Sequence, residues 1–250
     1  MCEYLIYAIV NWRKHPLPMM HLLIKADTDV NMEDKYGETA LIVTAERGSE
    51  HGVGTMRLLL NAGANVNKQN KHGWTALMVT AQNVGEHAAG MMRFLIVAGA
   101  DANIQTKDGK TALMQAAEYG SKYAVGMMRL LLDAGADVNM QNKYGVTALM
   151  GAAMYYGGEH AEDMMNVLID AGADVNIQTK GGQTALMYAT QKESEHTAGM
   201  MRLLVNAGAD VNIQTDDGKT ALMLTVAHGS EHTAGMIRLL VDAGADANKQ

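Results

Sequence analysis

Two kinds of hydrophobic segment alternate along almost the whole chain, and both have helical spacing. Between Asn103 and Asn139, for example, apolar residues cluster first in 112–119 and then again in 127–132. Apolar residues that recur at intervals of three and four predict helices with one buried face. Gly120 and Ser121 separate the two clusters, and Gly135 is placed to end the second helix in the left-handed conformation. We therefore predict a helix pair in each such segment.

The first helix of each pair starts at a recurring tripeptide, Thr-Ala-Leu. A threonine oxygen at this position is suited to accept a backbone N–H of the first turn, as an N-cap. Turn-forming residues precede it, and in 106–109 the final Gly109 is free to take a positive φ. The tripeptide returns after steps of 36, 36, 36, 37 and 36 residues, at Thr39, Thr75, Thr111, Thr147, Thr184 and Thr220.

The constant interval predicts the architecture. A second phrase, Ala-Gly-Ala, keeps the same step, with its glycine at 63, 99, 135, 172, 208 and 244. Self-similarity at such a period indicates a stack of small units, each of which buries its apolar side against its neighbours. Subtracting 36 residues aligns Leu41 with Leu5 and Asn67 with Asn31, so residues 3–31 form one more helix pair without a hairpin. The prediction is an all-α solenoid of seven helix pairs joined by β-hairpin-like turns.

These features together resemble the ankyrin repeat. The resemblance rests on the turn, the helix pair, Thr-x-Leu at the start of the first helix and Gly-Ala-Asp-Val-Asn after the second. It covers nearly the whole chain. It implies a single ankyrin-repeat solenoid over 1–250, with an N-terminal repeat lacking its hairpin at 1–33 and six regular repeats at 34–250.

The repeats depart from the family pattern in two ways. Thr-Ala-Leu-Met stands where the family has Thr-Pro-Leu-His, with Ile42 in place of the methionine in the first case, so thioether packing must fill the space of the histidine. The period also exceeds the family's ~33 residues by about three. Because three residues make nearly one helical turn, we expect second helices extended at their N-terminal ends, as in 194–199.

The end of the sequence lacks the polar capping helix that repeat arrays normally carry. The last residues include Asp246-Ala247-Asn248, and no C-terminal cap is evident. Two expectations stay open at this point. Either the chain is part of a longer protein, or another molecule covers the apolar end, which would permit end-to-end self-association.

Composition narrows the classes of partner. The net charge of −7 argues against a nucleic-acid partner, because phosphate binding requires cationic surface. No apolar run approaches the ~18 residues of a membrane span, and the apolar stretch from Leu5 to Val10 has no basic region before it, unlike a signal peptide. The lone cysteine, Cys2, suits a reducing compartment. We expect a cytoplasmic, intracellular protein without a membrane partner; delivery into a host cell stays open.

A row of histidines is the most regular chemical feature. Its members recur at the period of the repeats at His15, His51, His87, His160, His196 and His232, interrupted only by Tyr123, and a glutamate precedes all but the first histidine. Packed elements lie about 8–10 Å apart, whereas zinc binds imidazole nitrogens at ~2 Å. We therefore predict no metal site, and a glutamate at the positive end of a helix dipole explains the pairs. A histidine-row metal or pH sensor stays an alternative function.

The sequence favours a protein-binding function over catalysis. It contains no phosphate-binding glycine motif, and its acidic residues lie in rows along the repeats. We predict no enzyme activity, no catalytic residue and no cofactor. The alternative in a different class is a structural spacer or self-assembling fragment of a larger protein.

The candidate site follows from the resemblance, because ankyrin repeats normally bind partners through the hairpin tips and the exposed side of the first helix. Residues at these positions vary between repeats, and aromatic residues gather in the middle of the array. Large aromatic side chains dominate protein-interface hot spots. Packing of some rings between repeats is the competing explanation. The predicted partner-binding residues are Trp74, Gln115, Tyr119, Tyr144, Met154, Tyr155 and Tyr188.

Overall fold

The computed structural model describes residues 4–11, 16–26, 28–119, 122–154, 160–191, 196–228 and 232–249. These residues contain fourteen helices and no strand, which confirms the predicted all-α class of seven helix pairs. The helices are α1 (Tyr4–Asn11), α2 (Pro16–Lys25), α3 (Ala40–Arg47), α4 (Gly52–Asn61), α5 (Ala76–Gln82), α6 (Ala88–Val97), α7 (Ala112–Tyr119), α8 (Ala124–Asp133), α9 (Ala148–Met154), α10 (Ala161–Asp170), α11 (Ala185–Thr190), α12 (Thr197–Asn206), α13 (Ala221–His228) and α14 (Thr233–Asp242). In this part of the chain, every helix is too short or too polar to cross a bilayer.

The threonine of each Thr-Ala-Leu tripeptide is an N-cap, as predicted. Thr75 has the extended backbone of a cap, with φ −101° and ψ 165°, and its Oγ1 accepts the N–H of Met78 at 3.3 Å. The same bond, at 3.3–3.4 Å, forms from the threonines at 39, 111, 147, 184 and 220. One of the unpaired N–H groups of each first turn is thereby satisfied.

The second helices end at the predicted glycines. Gly135 has a φ of +85°, and its N–H donates to Leu132 O at 2.9 Å while that of Ala136 donates to Leu131 O at 3.0 Å. This pair of bonds satisfies carbonyls of the last helical turn and defines a Schellman C-cap. The chain is thus turned out of the helix and toward the next hairpin.

The second helices that follow the histidine row begin directly after the histidine. α12 starts at Thr197, three residues before the Met200-Met201 pair, and His196 is its N-cap residue. Of the segment 194–199 in which an extension is expected, residues 197–199 are helical, and residues 194 and 195 lie outside the described residues. In the two connections that are described throughout, residues 48–51 and 83–87 join the helices without being helical.

The structure divides into two compact units. The first contains residues 1–116 and 129–137, and the second contains 117–128 and 138–250. In the first unit α1, α3 and α5 pack side by side, as do α2, α4 and α6. In the second unit α9, α11 and α13 form one such layer and α10, α12 and α14 the other. Each unit thus has a layer of first helices and a layer of second helices, as the stacking of repeats predicts.

The core between the two layers is built from methionine, leucine and alanine. Both methionines of each Met-Met pair are at most 1 % exposed, at 91–92, 127–128, 164–165 and 200–201. The alanine after each capping threonine is also buried, and its small side chain lets neighbouring helices approach closely. The sequence-based interpretation of the Met pairs as core residues is confirmed, which is consistent with the ability of the flexible thioether to fill irregular gaps.

Candidate functional site

The hairpins that carry the predicted site are closed by backbone hydrogen bonds. Asn70 N donates to Trp74 O at 2.9 Å, and Asn70 Oδ1 accepts the N–H groups of His72 and Trp74 at 2.9 and 3.0 Å. Gly73 follows with a φ of +83°, and a Cβ on it would lie 2.7 Å from Lys107 N. Glycine is required here both for the left-handed backbone and for the close approach of the next hairpin.

Within each unit, backbone bonds also link consecutive hairpin tips. They run from Lys71 N to Tyr36 O (3.1 Å) and from Lys107 N to His72 O (3.0 Å) in the first unit, and from Lys180 N to Tyr144 O (2.9 Å) in the second. The tips are therefore fixed one repeat apart by main-chain atoms. The backbone positions from which the side chains of the hairpin tips project are therefore fixed.

A row of asparagines makes a second link between repeats. Asn176 Nδ2 donates to Gly208 O at 3.1 Å, and Asn176 Oδ1 accepts the N–H of Asp210 at 2.8 Å. The same pair of bonds is made by the asparagines at 31, 67, 103, 139 and 212. One amide thus satisfies a donor and an acceptor of the following repeat, which holds the repeats in register.

In the first unit, the structure corrects one of the predicted site residues. Trp74 is half-buried on its hairpin, but Gln115 is completely buried. Its Oε1 accepts a hydrogen bond from Gln82 Nε2 of α5 at 3.0 Å, so the side chain points at the preceding repeat. Its Nε2 has no hydrogen-bond partner. Gln115 is therefore a packing residue between first helices, and the expected exposure to a partner is not found.

In the second unit, two of the predicted aromatic residues are open to solvent. Tyr144 is 58 % exposed at its hairpin tip, and Tyr119 is 49 % exposed at the end of α7. Met154 and Tyr188 are half-buried. Tyr155 lies outside the described residues. Tyr144 and Tyr119 are thus the most exposed of the predicted site residues that the structure describes in the second unit.

Tyr144 and Tyr188 are each hydrogen-bonded to the hairpin that contains Thr179 and Lys180. The hydroxyl of Tyr188 is hydrogen-bonded to the side chain of Thr179; burial raises the pKa of Tyr188, and this hydrogen bond opposes the rise. The next residue, Lys180, donates its N–H to Tyr144 O. The half-buried ring of Tyr188 therefore supports the hairpin that holds the backbone of Tyr144.

Tyr119 and Met154 lie at the ends of two first helices that are in contact. A Cβ placed on Gly151 of α9 would lie 3.7 Å from Ala117 Cβ of α7, which is a van der Waals distance. Tyr119 and Met154 are the last residues of α7 and α9. Both predicted site residues therefore lie at the opposite end of the first helices from the capping threonines.

The histidine row lies at the starts of second helices, where the imidazoles meet glutamates. In the first unit His51 Nε2 is 3.2 Å from Glu50 Oε1 and His87 Nε2 is 3.6 Å from Glu86 Oε1. In the second unit His196 Nδ1 is 3.9 Å from Glu162 Oε1. Among the residues that the structure describes, which exclude His15, no three His, Cys, Asp or Glu side chains are grouped as metal ligands.

Tyr36 is an exposed aromatic residue at a hairpin tip that is not among the residues predicted from the sequence. Tyr36 is 55 % exposed, and the Lys35 Nζ lies 4.9 Å from its ring centroid. Tyr144 has the same arrangement, with the Lys143 Nζ 5.1 Å from its ring centroid. The sequence does contain a signal for Tyr36, since both tyrosines follow a lysine and precede the turn glycine. The prediction favours the middle of the chain because most aromatic residues lie there.

Comparison with known proteins gives one family and one fold. The sequence matches a family model described as ankyrin repeats (3 copies), over residues 5–96, 81–179 and 156–250. Among solved structures, it is similar to the crystal structure of the ankyrin repeat domain of Bcl-3, described as a unique member of the IkappaB protein family. That match has a TM-score of 0.72 and 24 % identity, and covers 95 % of this chain and 96 % of the other. No curated protein matches the sequence. At this identity the structural match shows the fold alone.

Proposed function

Because the chain belongs to the ankyrin-repeat family, whose members generally mediate protein–protein interactions, we propose that it is a non-catalytic module that binds a protein partner through its hairpin and first-helix face. The proposed surface lies in the second unit and has two parts, Tyr144 with Tyr188 at the hairpin, and Tyr119 with Met154 at the C-terminal ends of α7 and α9. The main observation in support is that Tyr144 is 58 % exposed, on a hairpin whose backbone is hydrogen-bonded to the next hairpin. We also propose a cytoplasmic location.

The physical argument concerns the cost of ordering the surface. A partner gains most from large aromatic side chains at the centre of an interface. Binding is weakened when loops or flexible side chains must first be ordered. Lys180 N already bonds to Tyr144 O, and the tyrosine side chain has few rotatable bonds. Tyr144 is thus a rigid aromatic group whose ordering cost is small.

The test is partner capture by the full chain carrying Tyr144→Ala. Tyr36→Ala is the matched control, because Tyr36 has nearly the same exposure and the same stacked lysine in the other unit. We expect Tyr144→Ala to weaken capture by roughly 30-fold, as for a hot-spot residue, and Tyr36→Ala to leave it unchanged. Both variants should keep the wild-type circular dichroism. Equal effects of the two substitutions, or none from Tyr144→Ala, would contradict the proposed surface.

A second candidate function is self-assembly through the last repeat of this sequence. Val226 is 59 % exposed there, whereas Thr190, in the same register one repeat earlier, is 1 % exposed. Ile237 is half-buried, while Met201 in the equivalent position is fully buried. Sedimentation equilibrium tests this candidate: Val226→Glu should shift any dimer to monomer. A monomer at every concentration of the wild-type chain removes it.

A further inference from the structure

Three lysines occupy the same position in the three hairpins of the first unit, and we call them the lysine strip: Lys35, Lys71 and Lys107. All three are exposed. The backbone N–H groups of Lys71 and Lys107 each donate to the preceding hairpin, at 3.1 and 3.0 Å. The strip therefore has the spacing of the repeats and is held by main-chain bonds.

The positive charges of the strip are not neutralised within the protein. Lys71 Nζ donates to the carbonyl of Lys35 at 2.8 Å, and Lys35 Nζ lies 4.9 Å from the centroid of the Tyr36 ring. Neither of these partners carries a charge. Among the described residues no carboxylate oxygen lies within 4.0 Å of the three ammonium groups.

Two lysines outside this hairpin register do have carboxylate partners. Lys68 Nζ is 2.7 Å from Glu33 Oε1, and Lys219 Nζ is 2.7 Å from Asp217 Oδ2. Asp34, which precedes Lys35 in the chain, stabilises the turn, since its Oδ1 accepts the N–H groups of Tyr36 and Glu38. The strip is thus a local row of unpaired cations on a chain with a net charge of −7.

We propose that the lysine strip binds an extended acidic segment of a protein partner. Complementary charge steers such a segment to the surface and fixes its register. Neighbouring repeats lie about 8–10 Å apart, and an extended chain rises about 3.3 Å per residue. The strip therefore matches a segment with a carboxylate at every third residue.

This inference rests on the proposed use of the hairpin face for binding, but it concerns residues of the first unit alone. The aromatic surface proposed above contains Tyr144 and lies in the second unit. Tyr144→Ala should leave binding to the lysine strip unchanged. Failure of one proposal is therefore distinguishable from failure of the other.

The experiment measures binding of a synthetic nine-residue peptide, three copies of Glu-Gly-Ser, to the full chain by isothermal titration calorimetry at low ionic strength. A peptide with Gln in place of Glu is the ligand control. The test variant is Lys35→Gln/Lys71→Gln/Lys107→Gln, and Lys143→Gln/Lys180→Gln, which changes two hairpin lysines of the second unit, is the matched control. Each exposed ion pair contributes roughly a factor of two to three, so the triple variant should bind about tenfold more weakly.

The outcomes are decisive in both directions. Binding of the Glu peptide that is weakened in the triple variant, retained in the control variant and suppressed by about 0.5 M salt supports the proposal. The proposal is overturned by equal affinity of the wild-type and triple-variant chains, by equal binding of the Gln peptide, or by tighter binding of a single-stranded oligonucleotide. If circular dichroism shows that the triple variant does not fold, Lys107→Gln alone provides the same comparison with about a two- to threefold effect.

Discussion

Gly151 offers the sharpest test of the packing described above, because it stands where other first helices carry a larger side chain. The same register position holds Val43, Val79 and Tyr188. Gly151 lies in α9 and is buried. A Cβ added there would lie 3.7 Å from Ala117 Cβ and 3.8 Å from Glu118 N, which are ordinary van der Waals contacts. We therefore expect Gly151→Ala to stabilise the protein.

The magnitude follows from two terms. Glycine in a helix interior is about 0.8–1.0 kcal/mol less favourable than alanine. Burial of one added methyl group contributes up to about 0.8 kcal/mol. The residual structure of the unfolded chain reduces the second term. The free energy of unfolding should therefore rise by about 1–2 kcal/mol, the sum of the terms.

Gly182→Ala is the matched control and should have the opposite sign. Gly182 has a φ of +78°, and a Cβ on it would lie 2.7 Å from Thr215 Cα and 2.8 Å from Asp216 N. The left-handed conformation alone costs a residue with a Cβ about 1–2 kcal/mol, and the clash is with backbone atoms that cannot rotate away. Urea unfolding followed by far-UV circular dichroism measures both variants. A lower midpoint for Gly151→Ala, or an unchanged one for Gly182→Ala, would refute the reasoning.

Two further predictions concern single groups in the first unit. Thr75→Ala removes the oxygen that accepts the N–H of Met78 and should lower the free energy of unfolding by about 1 kcal/mol; urea titration measures the loss, and Thr75→Ser should recover most of it. Glu38→Gln should stabilise the protein at pH 7, because burial raises the pKa of the Glu38 carboxyl above its ordinary 4.5, against the opposing hydrogen bond from Asn70. A raised pKa in the folded state means that stability is lost as the pH rises above 4.5, and glutamine avoids that loss. Urea midpoints measured from pH 3 to pH 8 should show the gain only at the higher values, and a gain that is independent of pH would contradict the assignment.

The repeat architecture could be predicted because its local signals agree with one another. Thr75 is both the start of a recurring phrase and a residue type that caps helices, and the structure confirms the cap. Gly135 likewise belongs to a phrase that recurs at the repeat period, and it is the residue type that adopts a φ of +85° without strain. The capping threonine and the helix-ending glycine affect only backbone groups within about one helical turn. Their roles can therefore be identified from the sequence alone.

The candidate site was less predictable, because exposure depends on neighbouring repeats. Gln115 is polar and was expected at the surface, yet it is completely buried. The apolar residues at its register position, Val43, Val79 and Leu224, were the available signal that this side of the first helix is packed. Tyr188 and Tyr144 are chemically alike in the sequence, but Tyr188 is half-buried and hydrogen-bonded to Thr179, whereas Tyr144 is exposed.

The asparagine links have a consequence for how such a chain tolerates changes in length. Asn139 Nδ2 still donates to Gly172 O, at 3.2 Å, although it spans 33 residues where Asn176 spans 32 to reach Gly208. The extra residue falls between the starts of α9 and α10, since Thr147 and Ala161 are 14 positions apart whereas Thr75 and Ala88 are 13 apart. One extra residue between the starts of these two helices therefore leaves both hydrogen bonds of Asn139 to the following repeat intact. The connection between the two helices of a repeat can therefore be lengthened by one residue without loss of the asparagine bonds that hold consecutive repeats in register.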